Sequence, residues 1–291
     1  MKNKVFMAYL AVCFFWGSTY LAIKIGVTDM PPMFFAGSRF LIAGSIMLTY
    51  AKLKGLPFPK GFKSIKGLSI VGILMLLGGN GLIVYAEQWV DSGVASMMVA
   101  TMPLFIALLE RLLIRSVKLS KLGYFGLLIG FYGVYRLITP SGLHQGMNPT
   151  YVGIILLATF LWSLGSVYSK MVVSEGSIVN NIGIQMLSGG IGLMIISVLA
   201  GELSRLTLSR SSLMALAYLI VFGSIVGYSS YIYVLAHWPA TKAGTYAYIN
   251  PMVAMILGFF ILNEPVTIQM VSSMIIILLG VFAVQRSKIQ V

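Results

Sequence analysis

The sequence has few charges, few acidic residues and almost no cysteine. Charged residues make up 9% of the 291 residues, whereas a soluble globular domain carries about 25%. Only 7 of them are acidic, against 20 lysines and arginines. So few charges cannot cover the water-facing surface of a chain of this length. The composition therefore excludes a soluble enzyme, a disordered tail and a small disulfide-built domain.

The residues that usually bind metals or carry out catalysis are also scarce. Cys13 is the single cysteine and lies in an apolar run, which excludes an intrachain disulfide and argues against a thiol metal site. His144 and His237 fall in predicted loops on opposite sides, so they cannot share one metal. No glycine-rich phosphate loop followed by Lys-Ser or Lys-Thr is present. We therefore expect no enzyme activity, no metal, no cofactor and no ATP drive.

Apolar residues are abundant. They make up 58% of the chain, and the mean hydropathy is +0.94. A helix needs about 20 apolar residues to cross a bilayer. The hydropathy predicts ten such helices, at residues 5–26, 32–50, 67–88, 92–114, 121–138, 150–172, 178–200, 212–236, 240–262 and 267–286. The sequence thus predicts an all-α integral membrane protein in contact with the lipid bilayer.

The positions of the cations predict the orientation. With the N-terminus in the cytoplasm, fifteen of the 20 lysines and arginines fall at inner ends and loops. The other five are Lys24, Arg39, Arg136, Arg205 and Arg210. Cytoplasmic loops of membrane proteins are rich in such residues. The net charge of +13 is therefore a signal of topology and not of nucleic-acid binding, and both termini are expected in the cytoplasm.

The two halves of the chain resemble each other, which predicts one unit at 1–140 and a second at 141–291. A shift of 146 to 148 residues aligns several pairs, among them Phe14 with Phe160, Trp16 with Trp162, Lys24 with Lys170, Tyr85 with Tyr233 and Pro103 with Pro251. Each unit has five predicted spans, an odd number, so the second unit inserts upside down. Inverted repeats are typical of secondary transporters, in which the halves exchange roles.

Polar and aromatic side chains within the predicted spans are candidates to line a transport path. Such residues usually face the bundle interior or a water-filled cavity. The candidates for substrate binding are Trp16, Tyr20, Arg39, Asn80, Tyr85, Gln88, Trp162, Ser166, Tyr228, Tyr231, Tyr246, Tyr248 and Asn250. The alternatives are interfacial anchoring for the tryptophans and plain helix packing for the tyrosines.

Two prolines fall in the middle of predicted spans at equivalent repeat positions. Pro103 frees the carbonyl of Val99, and Pro251 frees that of Ala247. Paired helix breaks indicate a substrate site. The alternative is a packing kink without a functional role.

The charged residues within the spans have several interpretations. Arg39 and Glu87 are both expected near the outer side, where an ion pair between them would gate the path, hold a charged substrate or neutralise both charges. Glu110 is a candidate proton carrier, or an ion-pair partner of Arg111.

Four segments carry a family resemblance. The stretches AEQWVDSGVAS (86–96), TMPLFIALLE (101–110), TYAYINP (245–251) and LNEP (262–265) resemble the EamA-type family of the drug/metabolite transporter superfamily. The resemblance covers the whole chain as two five-helix units. It implies a bacterial inner-membrane carrier, with ten helices around a central cavity, that exports amino acids, other metabolites or toxic compounds.

One segment departs from the family pattern. The second unit has Asn263-Glu264-Pro265 after its fourth helix, whereas the first has Arg115-Ser116-Val117. The acidic residue of many family members is thus absent from the first unit. We therefore assign Glu264 no coupling role and expect it to cap the start of the tenth helix together with Asn263.

These observations predict a secondary carrier that exports a small metabolite, such as an amino acid or a related compound, or a drug-like molecule by alternating access. One monomer would suffice, and an oligomer is compatible with the sequence. One alternative is a proton-coupled multidrug or cation antiporter that uses Glu110 or Glu87. A second is a membrane scaffold or sensor without transport.

Overall fold

The computed structural model describes residues 2–113, 120–138 and 148–286. Within these ranges the chain is helical and contains no strand. The helices are α1 (Lys2–Asp29), α2 (Pro32–Leu53), α3 (Phe62–Ala86), α4 (Ser92–Leu113), α5 (Lys121–Ile138), α6 (Pro149–Ser169), α7 (Ile178–Leu199), α8 (Arg210–His237), α9 (Ala240–Leu262) and α10 (Ile268–Arg286). These bounds lie close to those that the hydropathy predicts, because apolar stretches of this length form helices in a bilayer.

The helices have the length and composition of membrane spans. Eight of them, α1 to α4 and α6 to α9, are long and apolar enough to cross a membrane, and α10 contains a shorter apolar stretch, Ile268–Val284. The prediction of an all-α, multi-pass membrane protein is confirmed. The count of ten spans and the cytoplasmic location of the termini stay predictions. The boundary between residues 140 and 141, His144 and the segment Arg115-Ser116-Val117 lie outside the described residues.

Four helices are irregular, at matching places in the two halves. α3 contains a π-helical segment at Ile73–Gly81, and α8 contains one at Leu219–Tyr228. α4 is interrupted at residues 100–101, just before Pro103. α9 has a 3₁₀ segment, Gly244–Tyr248, just before Pro251. π-helical segments are rare in proteins, and those that do occur are often found at functional sites.

The packing forms two related groups of three helices. α6 packs against α3 and α4, which we call the first bundle, and α1 packs against α8 and α9, which we call the second bundle. α4 of the first bundle and α9 of the second run antiparallel in contact with each other. α2 packs along α7, and α5 along α10. Each bundle therefore combines the third and fourth helices of one repeat with the first helix of the other.

Contact between α3 and α7 depends on a glycine. A Cβ atom at Gly72 would overlap with the backbone carbonyl of Gln185 on α7. Backbone atoms cannot move aside as side chains do, so any larger residue at position 72 would separate these helices. Small residues at such points allow close packing of membrane helices.

The start of α2 is capped by a residue that is distant in sequence. Glu202 follows α7 in a short 3₁₀ turn, and its carboxylate accepts hydrogen bonds from the backbone amides of Met33 at 3.2 Å and Phe34 at 2.8 Å. The first amides of a helix have no partner within the helix, and a carboxylate there also interacts favourably with the helix dipole.

The cap expected from Glu264 is on a different helix. Glu264 does not cap α10; its carboxylate accepts hydrogen bonds from the amide of Ser92 at 2.9 Å, the hydroxyl of Ser92 at 2.7 Å and the amide of Gly93 at 3.3 Å, at the start of α4. Asn263 explains the difference, because its left-handed conformation (φ 54°, ψ 31°) ends α9 and turns the chain back. At α10, the Thr267 hydroxyl accepts the amide of Met270 at 3.1 Å.

Candidate functional site

A cavity lies between the two bundles. The first bundle contributes residues of α3, α4 and α6 to its wall, and the second contributes residues of α1, α8 and α9; α2 closes one side. The lining residues are Trp16, Thr19, Tyr20, Ile23, Arg39, Phe40, Leu76, Asn80, Ile83, Val99, Met102, Thr159, Trp162, Gly223, Tyr228, Tyr246 and Asn250. Eight of the thirteen candidate binding residues are therefore brought together here.

Arg39 gives the cavity its charge, since it is the one charged residue among the described residues of the lining. Its side chain is 3% exposed. Its Nε donates to the hydroxyl of Ser224 at 2.7 Å, and its guanidinium carbon lies 4.7 Å from the ring centre of Phe40. Its Nη1 has no hydrogen-bond partner. The cavity therefore contains a fixed positive charge with a free donor.

Aromatic rings form much of the remaining wall. Trp16 lies edge-on to Trp162 at 5.3 Å and to Tyr246 at 4.9 Å between ring centres. The indole N–H of Trp16 donates to the carbonyl of Gly223 at 3.0 Å. Gly227 leaves the space that this indole occupies, because a Cβ atom there would overlap with its Nε1. The ring of Trp16 is thus held in place by α8.

Several buried polar atoms of the lining have no hydrogen-bond partner. Among them are Nη1 of Arg39 and Oδ1 of Asn80. Buried polar groups in proteins are almost always hydrogen-bonded, so an unpaired group requires an explanation. Here both donors and acceptors are free around one cavity, which is an arrangement suited to a polar ligand.

Tyr228 is oriented by α7. Its hydroxyl donates to Oε1 of Gln185 at 2.9 Å, and the π-helical segment of α8 ends at this tyrosine. Asn80 occupies the equivalent π-segment of α3. The irregular stretch of each helix therefore carries a polar residue to the cavity.

Five of the expected binding residues do not line this cavity. Tyr85 and Gln88 line a separate depression on the face where α1 ends. The hydroxyls of Ser166 and Tyr231 lie 2.9 Å apart in a hydrogen bond that joins α6 to α8. Tyr248 lies in the 3₁₀ segment of α9. Tyr231 lies directly behind the lining, with its ring centre 5.2 Å from that of Trp16.

The ion pair between Arg39 and Glu87 is not formed. Neither carboxylate oxygen of Glu87 has a hydrogen-bond partner, and Nε of Arg39 bonds to Ser224. Glu87 is fully buried at the end of α3, with its own backbone carbonyl bonded to Nζ of Lys24 at 2.7 Å. Arg39 bonds through Nε to Ser224 instead, because α8 packs against α2.

Glu110 caps a helix in the other repeat. Its buried carboxylate accepts hydrogen bonds from the backbone amides of Ala240 and Thr241 and from the Thr241 hydroxyl, at the start of α9. Glu110 thus lies at the start of α9, and its expected role as a proton carrier or as the partner of Arg111 stays a prediction.

The sequence analysis did not identify Thr19, Phe40, Met102, Thr159 and Ser224 as part of the site. Thr19 is three residues from Trp16 and four from Phe15, so the same helical face could have included it. The bond of Ser224 to Arg39 joins residues 185 positions apart. No local pattern contains such a contact.

Comparison with known proteins agrees with this architecture. The chain matches the EamA-like transporter family twice, at residues 3–139 and 150–286. It is 39% identical over 256 residues to the uncharacterized inner membrane transporter YedA of Escherichia coli K12, covering 87% of this chain and 81% of that protein. It is 25% identical over 282 residues to the uncharacterized transporter YoaV of Bacillus subtilis, covering 96% of each chain.

A solved crystal structure has the same fold. It matches with a TM-score of 0.67 and 16% identity, covering 97% of this chain and 96% of its own. The helices, the repeat and the cavity define a multi-pass membrane transporter. The chain belongs to the EamA-like transporter family, which confirms the family resemblance in the sequence, and the location in the name of YedA agrees with the expected inner membrane.

Proposed function

We propose that this transporter is a secondary carrier that exports a small carboxylate-bearing metabolite, such as an amino acid or a related compound, by alternating access. The observation that carries the proposal is the buried guanidinium of Arg39, whose Nη1 is free in a cavity between two bundles related by the repeat. Guanidinium groups bind carboxylates with charge-assisted hydrogen bonds.

The other groups of the lining suit the rest of such a molecule. The carbonyl oxygen of Asn80 is an acceptor for an ammonium or hydroxyl group. The rings of Trp16, Trp162 and Tyr246 provide an apolar wall and faces that attract a cation. The same wall would accept the apolar part of a drug-like anion. Such an anion is the larger substrate that this proposal also allows.

One observation favours a second candidate, proton-coupled antiport. Glu87 is fully buried, and both of its carboxylate oxygens lack a hydrogen-bond partner. An isolated buried carboxylate is unfavourable when ionised, and a bound proton removes that charge. Glu87 is therefore a candidate proton carrier for this second function.

The experiment begins with a resistance screen. The protein is expressed in a sensitive bacterial host that is challenged with toxic amino-acid analogues and with toxic compounds that lack a carboxylate. Compounds to which it confers resistance are then tested as radiolabelled substrates with purified protein in liposomes. Saturable flux of a carboxylate-bearing compound supports the proposal.

The variant Arg39→Gln and the matched surface variant Glu175→Gln are measured in parallel. Loss of flux in the first alone supports recognition through Arg39. Flux restricted to compounds without a carboxylate would contradict the proposal, and the absence of saturable flux of any compound would favour the scaffold or sensor.

A further inference from the structure

Two lysines bind equivalent backbone carbonyls on opposite faces of the protein. Nζ of Lys24, near the end of α1, donates to the carbonyls of Glu87 at 2.7 Å and Val90 at 3.1 Å, in the connection between α3 and α4. Nζ of Lys170, after the end of α6, donates to the carbonyls of Leu235 at 2.7 Å and Trp238 at 3.0 Å, near the connection between α8 and α9.

The acceptors in these two sets of bonds correspond in the repeat. Residues 87 and 90 shift by 148 onto 235 and 238, the same shift that aligns Pro103 with Pro251. Both lysines bind carbonyls around the end of the third helix of a repeat, where the last carbonyls have no partner within the helix. The two contacts are therefore equivalent and lie on opposite faces.

Two glutamates complete the same arrangement. Glu264, after the end of α9, accepts hydrogen bonds from the first amides of α4, and Glu110, near the end of α4, accepts hydrogen bonds from the first amides of α9. α4 and α9 are antiparallel, so each carboxylate caps the start of its neighbour. Glu264 lies on the face where α1 ends, together with Lys24; Glu110 lies on the face where α1 begins, together with Lys170.

Each of these contacts joins the first bundle to the second. Lys24 lies on α1 and Glu264 lies just after α9. Both helices belong to the second bundle, and both side chains bind the first bundle. Glu110 lies on α4 and Lys170 lies just after α6. Both helices belong to the first bundle, and both side chains bind the second bundle. We call Lys24 with Glu264 the outer latch, after the predicted orientation, and Lys170 with Glu110 the inner latch. The cavity lies between the two latches.

Other contacts hold each bundle together internally. Trp89, in the connection between α3 and α4, stacks on Tyr151 of α6 with ring centres 4.2 Å apart. Trp238, just before α9, packs against Tyr9 of α1 at 5.3 Å. These contacts lie within one bundle, so they can persist while the two bundles move relative to each other.

We propose that the outer and inner latches are the pair of contacts that break alternately during transport, which makes Lys24, Glu264, Lys170 and Glu110 positioning residues. This inference rests on the proposed function. Rocking of one bundle against the other opens the cavity to one face, and contacts between the bundles on that face must separate. The hydrogen bonds of both latches are formed in this structure.

The test measures access to the cavity and needs no substrate. In a Cys13→Ala background, Thr19→Cys places one reporter thiol in the cavity lining. A membrane-impermeant maleimide is added to spheroplasts or to inside-out vesicles, and the labelling rates from the two sides are compared. Glu264→Gln is expected to raise labelling from the outer side about tenfold, because a hydrogen bond to a charged group is worth about that factor. Glu110→Gln is expected to raise labelling from the inner side instead.

Two further variants address the outer latch without removing its charge. Ser92→Ala removes only the hydroxyl bond of 2.7 Å to Glu264. Gly258→Ala would place a Cβ atom against Oε2 of Glu264. Both are expected to change labelling in the same direction as Glu264→Gln, with a smaller effect for Ser92→Ala. If Glu264→Gln does not accumulate, these variants decide the question. The matched control Glu175→Gln, an exposed carboxylate, is expected to leave both rates unchanged.

Opposite shifts from the two glutamate variants support the latches. Equal shifts toward one face, or unchanged labelling in variants that accumulate normally, would overturn the inference. Opposite shifts in a protein that transports no compound would refute the proposed function and leave the latches in place. Normal flux of a carboxylate with unchanged labelling would refute the latches and leave the proposed function in place.

Discussion

Replacement of Arg39 is the sharpest test of the candidate site. Its guanidinium is buried, is held by one hydrogen bond to Ser224, and leaves Nη1 free in the cavity. Arg39→Gln removes the positive charge and keeps a shorter polar side chain, whose amide is at the level of the arginine Nε. Arg39→Lys keeps the charge but loses the planar fork that binds both oxygens of a carboxylate.

The expected magnitude follows from the type of interaction. A hydrogen bond to a charged group contributes about 1.5–3 kcal/mol, and a factor of ten corresponds to about 1.4 kcal/mol. Arg39→Gln should therefore raise the KM for a carboxylate substrate about ten- to a hundredfold, with a smaller increase for Arg39→Lys. Ser224→Ala keeps the guanidinium and removes only its orienting bond, so its effect should be the smallest.

The assay compares a carboxylate substrate with its methyl ester in liposomes that contain the purified protein. If Arg39 binds the carboxylate, Arg39→Gln raises the KM for the acid and leaves the KM for the ester nearly unchanged. Equal losses for both compounds, or no loss for either, would show that the cavity does not recognise its ligand through this charge. A thermal unfolding curve for each variant shows whether a change in KM accompanies a loss of folded protein.

Three further predictions follow from the packing and the unpaired groups. Gly72→Ala should lower the thermal unfolding midpoint because of the overlap with α7, whereas Gly153→Ala, with no neighbouring atom within 4 Å, should leave it unchanged or raise it. Asn250→Leu should abolish transport and change the unfolding midpoint little, since the Tyr20 hydroxyl is the one hydrogen-bond partner described for its amide; a large drop would show a structural role. If proton coupling runs through Glu87, Glu87→Gln should remove stimulation of flux by an imposed pH gradient, and Glu175→Gln should retain it. Stimulation that survives in Glu87→Gln would exclude that route.

The cavity lining contains several residues that reasoning from the sequence selected. Trp16, Trp162, Arg39 and Asn250 were selected because polar or amphipathic side chains within membrane spans rarely face lipid. That rule depends only on residue type and position in a span, and it places all four in the cavity lining. Tyr231 lies outside the lining, with its hydroxyl in a hydrogen bond to that of Ser166 on α6.

The sequence by itself determined the helices, their approximate bounds, the two-unit organisation and the membrane location, because these follow from sums of hydropathy along the chain and from its internal similarity. Only the tertiary structure decided the partners of the charged groups. The conformation of Asn263 turns Glu264 from α10 toward α4, and Arg39 finds Ser224 in place of Glu87. Such pairs depend on how the helices pack and rotate, and a few angstroms of approach decide them. The one-dimensional pattern of residues does not contain that information.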